Sequence, residues 1–150
     1  MPRTFDQILA GLAALKAEDF DCHTPGFDGN ERLHELTEEL MTLPQPERGV
    51  PALFDVMERM PEADLGSPGP LVHTLERMRG HYERELVESI KRRPSPTAIW
   101  MVNRILNATR VPEQRKFYMD LLRFAAEHPA APESARHEAE HFIEYQSGAA

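Results

Sequence analysis

Two histidines four residues apart give this chain its clearest match to a catalytic motif. The segment His137-Glu138-Ala139-Glu140-His141 has the H-E-x-x-H spacing, in which both imidazoles lie on one side of a helix and bind zinc while the first glutamate activates water. Zinc enzymes of this kind also use a third ligand, and only nine residues follow His141. The apolar residues of the predicted helix lie on the opposite face, and they are Ala135, Ala139, Phe142 and Ile143. We therefore expect both histidines to face solvent or a partner, and a zinc hydrolase using His137, Glu138 and His141 stays as the less favoured alternative.

The residue patterns for nucleophilic catalysis and phosphate binding are weaker still. Cys22 is the only cysteine and His23 follows it directly, but adjacency in sequence does not place a thiol and an imidazole in hydrogen-bond geometry. The chain contains no G-x-S-x-G sequence, and its glycine-rich stretch at 66–70 has prolines where a phosphate loop needs backbone N–H donors. We expect a protein that is not an enzyme and that holds no cofactor or metal.

Charge is the next feature, because the net charge of -8 is unevenly distributed along the 150 residues. Residues 1–64 carry 14 acidic and 5 basic side chains, residues 65–126 carry 6 and 11, and residues 127–150 carry 5 and 1. An acidic surface attracts cationic proteins and repels nucleic acid, so we expect a protein partner and no nucleic acid. Solvated helix faces are the equally simple alternative. The acidic helices near residues 28–64 or the acidic C-terminal helix would supply the acidic surface. The candidate contacts are Glu31, Glu35, Glu38, Glu39, Asp55, Glu58, Glu62 and Asp64.

A second candidate surface lies on the predicted helix that starts at Ser95. Its helical projection puts Trp100, Asn103, Arg104 and Asn107 opposite a broad apolar face. Tryptophan and arginine are enriched among the residues that dominate binding energy at interfaces. The surface therefore fits a generic helical adaptor that binds another protein. The alternative is that Trp100 packs against a neighbouring hairpin while Asn103 or Asn107 satisfies a loop carbonyl.

Apolar residues recur at helical spacing through the whole chain, and no segment alternates as a strand does. Thr4 and Gln7 form a predicted capping box, and Ser67-Pro68 and Ser95-Pro96 are predicted starts of later helices. The pattern predicts one all-α domain over residues 1–150, with about eight antiparallel helices in a short HEAT-like stack or an irregular bundle.

The predicted helix over 112–127 has apolar residues around more than half of its circumference, so we expect it to be buried on two sides. Its remaining face offers two ion pairs at i, i+4 spacing, Lys116 with Asp120 and Arg123 with Glu127.

Residues 64–108 resemble a group of small helical bacterial proteins. The similarity lies in the stretches Asp64–His73, Tyr82–Pro94 and Trp100–Asn107, which are similar to the HEAT-like immunity proteins of polymorphic and contact-dependent toxin systems. The resemblance implies a cytoplasmic protein that binds its cognate toxin, often a nuclease, and covers the active site or substrate surface. It implies no particular binding residues, because partners in such systems diversify quickly.

The sequence thus predicts a non-enzymatic binding protein, an immunity protein that forms a heterodimer with its toxin. Asp6, Lys16 and Glu18 interrupt any signal-peptide core, and no apolar run approaches the ~18 residues that cross a membrane. We therefore expect a cytoplasmic protein with no membrane partner.

Overall fold

The computed structural model describes residues 2–148, and these form eight α-helices, two short 3-10 helices and no strand. The all-α prediction is confirmed. The α-helices are α1 (Phe5–Ala14), α2 (Gly29–Met41), α3 (Val50–Arg59), α4 (Gly69–Arg77), α5 (Glu83–Arg92), α6 (Pro96–Ala108), α7 (Pro112–Glu127) and α8 (Glu133–Gln146). The 3-10 helices are Ala17–Phe20, between α1 and α2, and Pro46–Gly49, between α2 and α3. No helix in the described part of the chain is long and apolar enough to cross a membrane.

The chain divides into two compact units, an N-terminal unit (Met1–Glu85) and a C-terminal unit (Leu86–Ala150). The expectation of a single domain stays a prediction. In the N-terminal unit, α1 packs on α2 and α3, and α2 also packs on α4. Each helix buries one apolar stripe at helical spacing, which is the periodicity that the sequence shows. The core of this unit includes Ile8, Leu12, Leu33, Leu36, Leu40, Leu53, Phe54, Met57, Leu71 and Leu75.

In the C-terminal unit, α6, α7 and α8 pack against one another pairwise. Three mutually packed helices form a small bundle, and stacked helical hairpins bring alternate helices together in the same way. Small residues let α8 approach closely, since Ala135 and Ala139 are fully buried. The other core residues here include Leu86, Ile90, Ile99, Val102, Leu106 and Leu122.

The helix starts show where local sequence signals hold. Thr4 and Gln7 form the predicted capping box of α1, and the buried Ser95 Oγ accepts a hydrogen bond from the Ala98 N–H at the start of α6. The Ser67-Pro68 prediction is wrong: α4 begins at Gly69, and its N-cap is Pro68, which makes no side-chain cap. Gly66 and Gly69 both have positive φ, so the non-helical backbone of the turn extends up to Gly69, the first residue of α4.

Helix α7 is buried on one side only, which overturns the expectation of two buried sides. Leu121, Leu122 and Ala125 are buried, but Phe117 and Phe124 are 51% and 47% exposed. An apolar arc predicts burial only if elements cover all of it, and the packing of α6 and α8 covers part. One predicted ion pair forms, with Lys116 Nζ 2.9 Å from Asp120 Oδ2. Arg123 instead lies 3.1 Å from the same Asp120.

Candidate partner-binding surface

The outer face of α2 carries three exposed glutamates at i, i+4 and i+7, namely Glu31, Glu35 and Glu38. We call these three residues the acidic stripe. They point outward because Leu33, Leu36 and Leu40 occupy the opposite, buried face of the same helix.

Two residues of the acidic stripe have uncompensated charge. Neither Glu31 nor Glu35 forms a hydrogen bond or ion pair with any residue in the described part of the chain. Glu38 Oε1 accepts a hydrogen bond from Arg77 Nη1 on α4 at 3.1 Å, and both side chains are about half exposed. Like charges at i, i+4 repel, so the stripe carries a small cost to helix stability that a cationic partner would relieve.

The net negative charge of the chain lies in the N-terminal unit, which also contains the acidic stripe. The N-terminal unit has 17 acidic and 8 basic side chains, whereas the C-terminal unit has 8 and 9. Because the counts nearly balance in the C-terminal unit, the field that a distant charged molecule meets is negative at the N-terminal unit.

Three other acids of the predicted set either form hydrogen bonds with neighbouring residues or are buried. Glu39 accepts a hydrogen bond from the Arg3 backbone N–H and forms an ion pair with the Arg3 side chain. These contacts, the backbone bond first, lower the pKa of Glu39. Asp55 Oδ2 accepts a hydrogen bond from Arg59 Nε at 2.7 Å. Glu58 is only 8% exposed and offers little surface to a partner.

The last two predicted acids, Glu62 and Asp64, lie at a groove of about 780 Å³ formed by parts of segment 17–30 and by residues 59–64. Asp21 joins them, which makes three carboxylates around this cavity, and we call it the acidic groove. Its apolar wall includes Phe20, Met60 and Pro61, together with Phe27, whose side chain is 47% exposed.

Arg59 is the one basic residue that lines the acidic groove, and three of its five guanidinium N–H groups donate to residues outside the groove lining. Nε donates to Asp55, while Nη1 donates to the Leu15 carbonyl at 3.1 Å and Nη2 to the Leu12 carbonyl at 3.0 Å. These bonds tie α3 to the end of α1 and pair the cation with Asp55, which does not line the groove. The groove therefore keeps a net negative character.

Asn30, at the start of α2, also lines the acidic groove. Its Nδ2 donates to the Asp64 carbonyl at 3.0 Å, whereas its Oδ1 is buried and accepts no hydrogen bond from the described residues. A buried acceptor without a donor is destabilising, and it is uncommon in native structures.

A second, smaller groove of about 480 Å³ lies between α2 and the start of α4. Glu38 of the acidic stripe and His34 line it from α2, and His73 lines it from α4. Residues 67–70, at the start of α4, also line this groove.

The residues that could hold a metal ion are not the ones that the H-E-x-x-H motif indicates. Within residues 2–148, one group of three ligand side chains has its donor atoms within 4.8 Å of one another, and it consists of Asp21, Cys22 and His23. All three side chains are exposed. On α8, His137 and His141 are exposed as the projection predicts, and neither belongs to such a group in the described residues.

The polar side of α6 is largely engaged within its own unit. Asn103 is 5% exposed, and its Oδ1 accepts a hydrogen bond from Gln146 Nε2 at 2.7 Å; Asn107 Oδ1 accepts from the same nitrogen at 2.8 Å. Trp100 and Arg104 are half-buried. Both asparagines are therefore bonded to a side chain of α8, and not to a loop carbonyl.

Sequence reasoning identified the acids but missed Phe27, Asp21 and Asn30, which complete the groove. The proline and glycine at 25–26 indicate a turn there, and nothing in a turn pattern shows which helix end it meets. Comparison with known proteins adds no constraint: no protein-family model matches this chain, and no curated protein or solved structure matches it either.

Proposed function

We propose that this chain is a non-enzymatic binding protein that uses the acidic stripe of α2 to dock on a basic protein surface. In the most specific version of this proposal, the chain is an immunity protein that covers the active site or substrate surface of a cognate bacterial toxin. The observation that carries the proposal is the pair Glu31 and Glu35, which are exposed, aligned on one helix face and without ionic partners among the described residues.

Electrostatics gives this arrangement a specific role in binding. A surface of one sign raises the rate at which an oppositely charged partner arrives and orients it on approach, and the effect falls as salt is added. A toxin that acts on nucleic acid has a basic substrate cleft, because it must bind phosphates. An acidic stripe on a rigid, packed helix is complementary to such a cleft.

The test begins with the tagged protein in its native cells. Bound proteins are captured, eluted with increasing salt and identified, and the purified pair is then studied by surface plasmon resonance. For Glu31→Lys/Glu35→Lys we expect the association rate constant to fall about tenfold at low salt and to lose most of its salt dependence.

Helix α8 supplies a matched control. Glu140 and Glu144 are also exposed, four residues apart and without a hydrogen bond or ion pair to the described residues. Glu140→Lys/Glu144→Lys changes the net charge equally, and we expect it to alter the association rate by less than about twofold. Equal effects of the two double variants would show that only net charge matters, and no effect of either would disprove docking through α2.

Toxin immunity needs a separate experiment. Expression of the captured partner alone should arrest growth, and coexpression of this chain should restore it. The Glu31→Lys/Glu35→Lys variant should restore growth less well at equal abundance. A captured partner that is harmless to cells would leave a binding function and remove the immunity proposal.

A further inference from the structure

We infer that the acidic groove is a receptor for one arginine side chain presented by a basic protein partner. The inference rests on the proposed function for the source of that arginine, and it adds a site that is separate from the acidic stripe. Its volume of about 780 Å³ lies in the range of cavities that enclose small ligands.

Charge complementarity selects a cation. Asp21, Glu62 and Asp64 line the groove, and the single basic residue there, Arg59, is paired with Asp55 and with two carbonyls. Two of the carboxylates also hold the local backbone, since Asp21 accepts from the His23 N–H and Asp64 from the Gly66 N–H. Those bonds fix the carboxylates without neutralising them.

The apolar wall selects arginine among cations. A guanidinium is planar and weakly hydrated, so it stacks on an aromatic face, whereas an ammonium keeps its water more strongly. Phe27 presents a half-exposed ring at the groove, and Met60 and Pro61 can cover the methylene stem of the same side chain.

Asn30 supplies a third argument, from hydrogen bonding. A guanidinium has five N–H donors, and the groove wall contains an acceptor, Asn30 Oδ1, that receives no donor from the described residues. Because this oxygen is buried, a ligand would reach it when the Asn30 side chain rotates toward the groove. Such a rotation would give up the bond from Asn30 Nδ2 to the Asp64 carbonyl and would gain a charge-assisted hydrogen bond at Oδ1.

The proposal can be tested without knowing the partner, because arginine has a near-isosteric neutral analogue. N-acetyl-arginine amide and N-acetyl-citrulline amide are titrated into the protein at constant ionic strength, with EDTA present so that Asp21, Cys22 and His23 hold no trace metal. Backbone amide shifts of Cys22, Asn30 and Ala63, which line the groove, report binding. We expect arginine amide to bind at least about fivefold more tightly than the citrulline compound.

Cys22 provides an independent readout, since it is the only cysteine, is exposed and lines the groove. Arginine amide should slow its alkylation by N-ethylmaleimide, and citrulline amide should not. A nearby cation favours the thiolate and by itself would accelerate the reaction, so a slower rate reports occlusion of the thiol.

Two variants and one matched control assign the effect to the groove. Asp21→Asn/Asp64→Asn removes two charges while each amide oxygen can still accept the local backbone bond, and Phe27→Leu removes the aromatic face. Each should weaken arginine binding at least about threefold. Glu140→Gln/Glu144→Gln removes the same charge from α8, outside the groove lining, and should leave the small-ligand affinity unchanged.

Equal binding of arginine and citrulline amides, or binding that survives the groove variants, would overturn the inference. Absence of any groove binding would overturn it as well. None of these results bears on the proposed role of the acidic stripe, which is tested by the association rate with the intact partner. Conversely, loss of the stripe effect with retained arginine binding would disprove the proposed docking face and leave the groove as a cation site.

Discussion

Gln146, in the last turn of α8, donates a hydrogen bond from its Nε2 to the Oδ1 of Asn103 on α6 across 2.7 Å. The same amide donates to Asn107 Oδ1 and accepts from Arg115 Nη2 on α7 at 3.1 Å. Arg115 in turn donates to the Leu106 carbonyl near the end of α6 at 2.6 Å. One side-chain amide therefore links all three helices of the bundle at a single level.

The first prediction concerns this amide. Gln146→Ala removes both donors and leaves the buried Asn103 Oδ1 without its partner, so we expect the free energy of unfolding to fall by about 1–3 kcal/mol. Urea denaturation followed by the fluorescence of Trp100, the only tryptophan, measures it on α6 itself. Gln114→Ala, an exposed glutamine on α7 without a hydrogen bond to the described residues, is the control and should be neutral. Equal stability of the two variants would show that the amide contributes nothing to the bundle.

Sequence patterns predict the helices of this protein well, because burial imposes the same period that the chain displays. Leu33, Leu36 and Leu40 mark the inner face of α2 from sequence alone, and that in turn places the acidic stripe outside. The helix starts at Thr4 and Ser95 can also be predicted from sequence, because a helix cap is a hydrogen bond between residues that are close in the chain.

Local sequence patterns do not encode contacts between distant segments of the chain. Gln146 meets Asn103 across 43 residues, and Phe27 joins Met60 at the acidic groove, with no periodicity that links either pair. Phe117 is another example, because its side chain is exposed although it is apolar. An apolar residue is buried only where another element of the fold packs over it.

The second prediction concerns the cap of α6. Ser95 is 1% exposed, and its Oγ accepts from the Ala98 N–H at 3.2 Å. Ser95→Ala leaves that N–H buried without an acceptor, and we expect a loss of about 1–2 kcal/mol. Thr4→Ala removes the equivalent bond at the exposed start of α1, where water replaces it, and should cost less. Thermal or urea unfolding of both variants makes the comparison, and a larger loss for Thr4→Ala would contradict it.

The third prediction concerns the pKa of Asp120. The hydrogen bond from Lys116 is the main cause that lowers this pKa, and Arg123 contributes less. A depressed pKa stabilises the fold fully above the ordinary value for aspartate, and the contribution is lost as the pH falls through the lower folded value. Carboxyl-carbon NMR should show the Asp120 pKa below its ordinary value. Lys116→Ala should raise it more than Arg123→Ala does, and the reverse order would contradict the assignment.

The fourth prediction compares two glycines whose added Cβ would meet a neighbour at 2.7 Å. At Gly29, the first residue of α2, that neighbour is the backbone carbonyl oxygen of Asp19, in the 3-10 helix beside the acidic groove. At Gly11, within α1, it is the flexible end of the Leu36 side chain. Gly29→Ala must therefore move backbone, and we expect it to cost about 1–3 kcal/mol of unfolding free energy.

For Gly11→Ala a stabilising effect opposes the steric cost, because alanine in a helix interior is favoured over glycine by about 1 kcal/mol. That gain offsets the small shift of Leu36, so we expect Gly11→Ala to stay within about 1 kcal/mol of the parent protein. Urea unfolding measures both variants, and the amide shift of Cys22 shows whether Gly29→Ala also displaces the groove wall. Equal losses for the two glycines would mean that the Asp19 backbone yields as easily as a leucine side chain, and that the groove wall is not rigidly held.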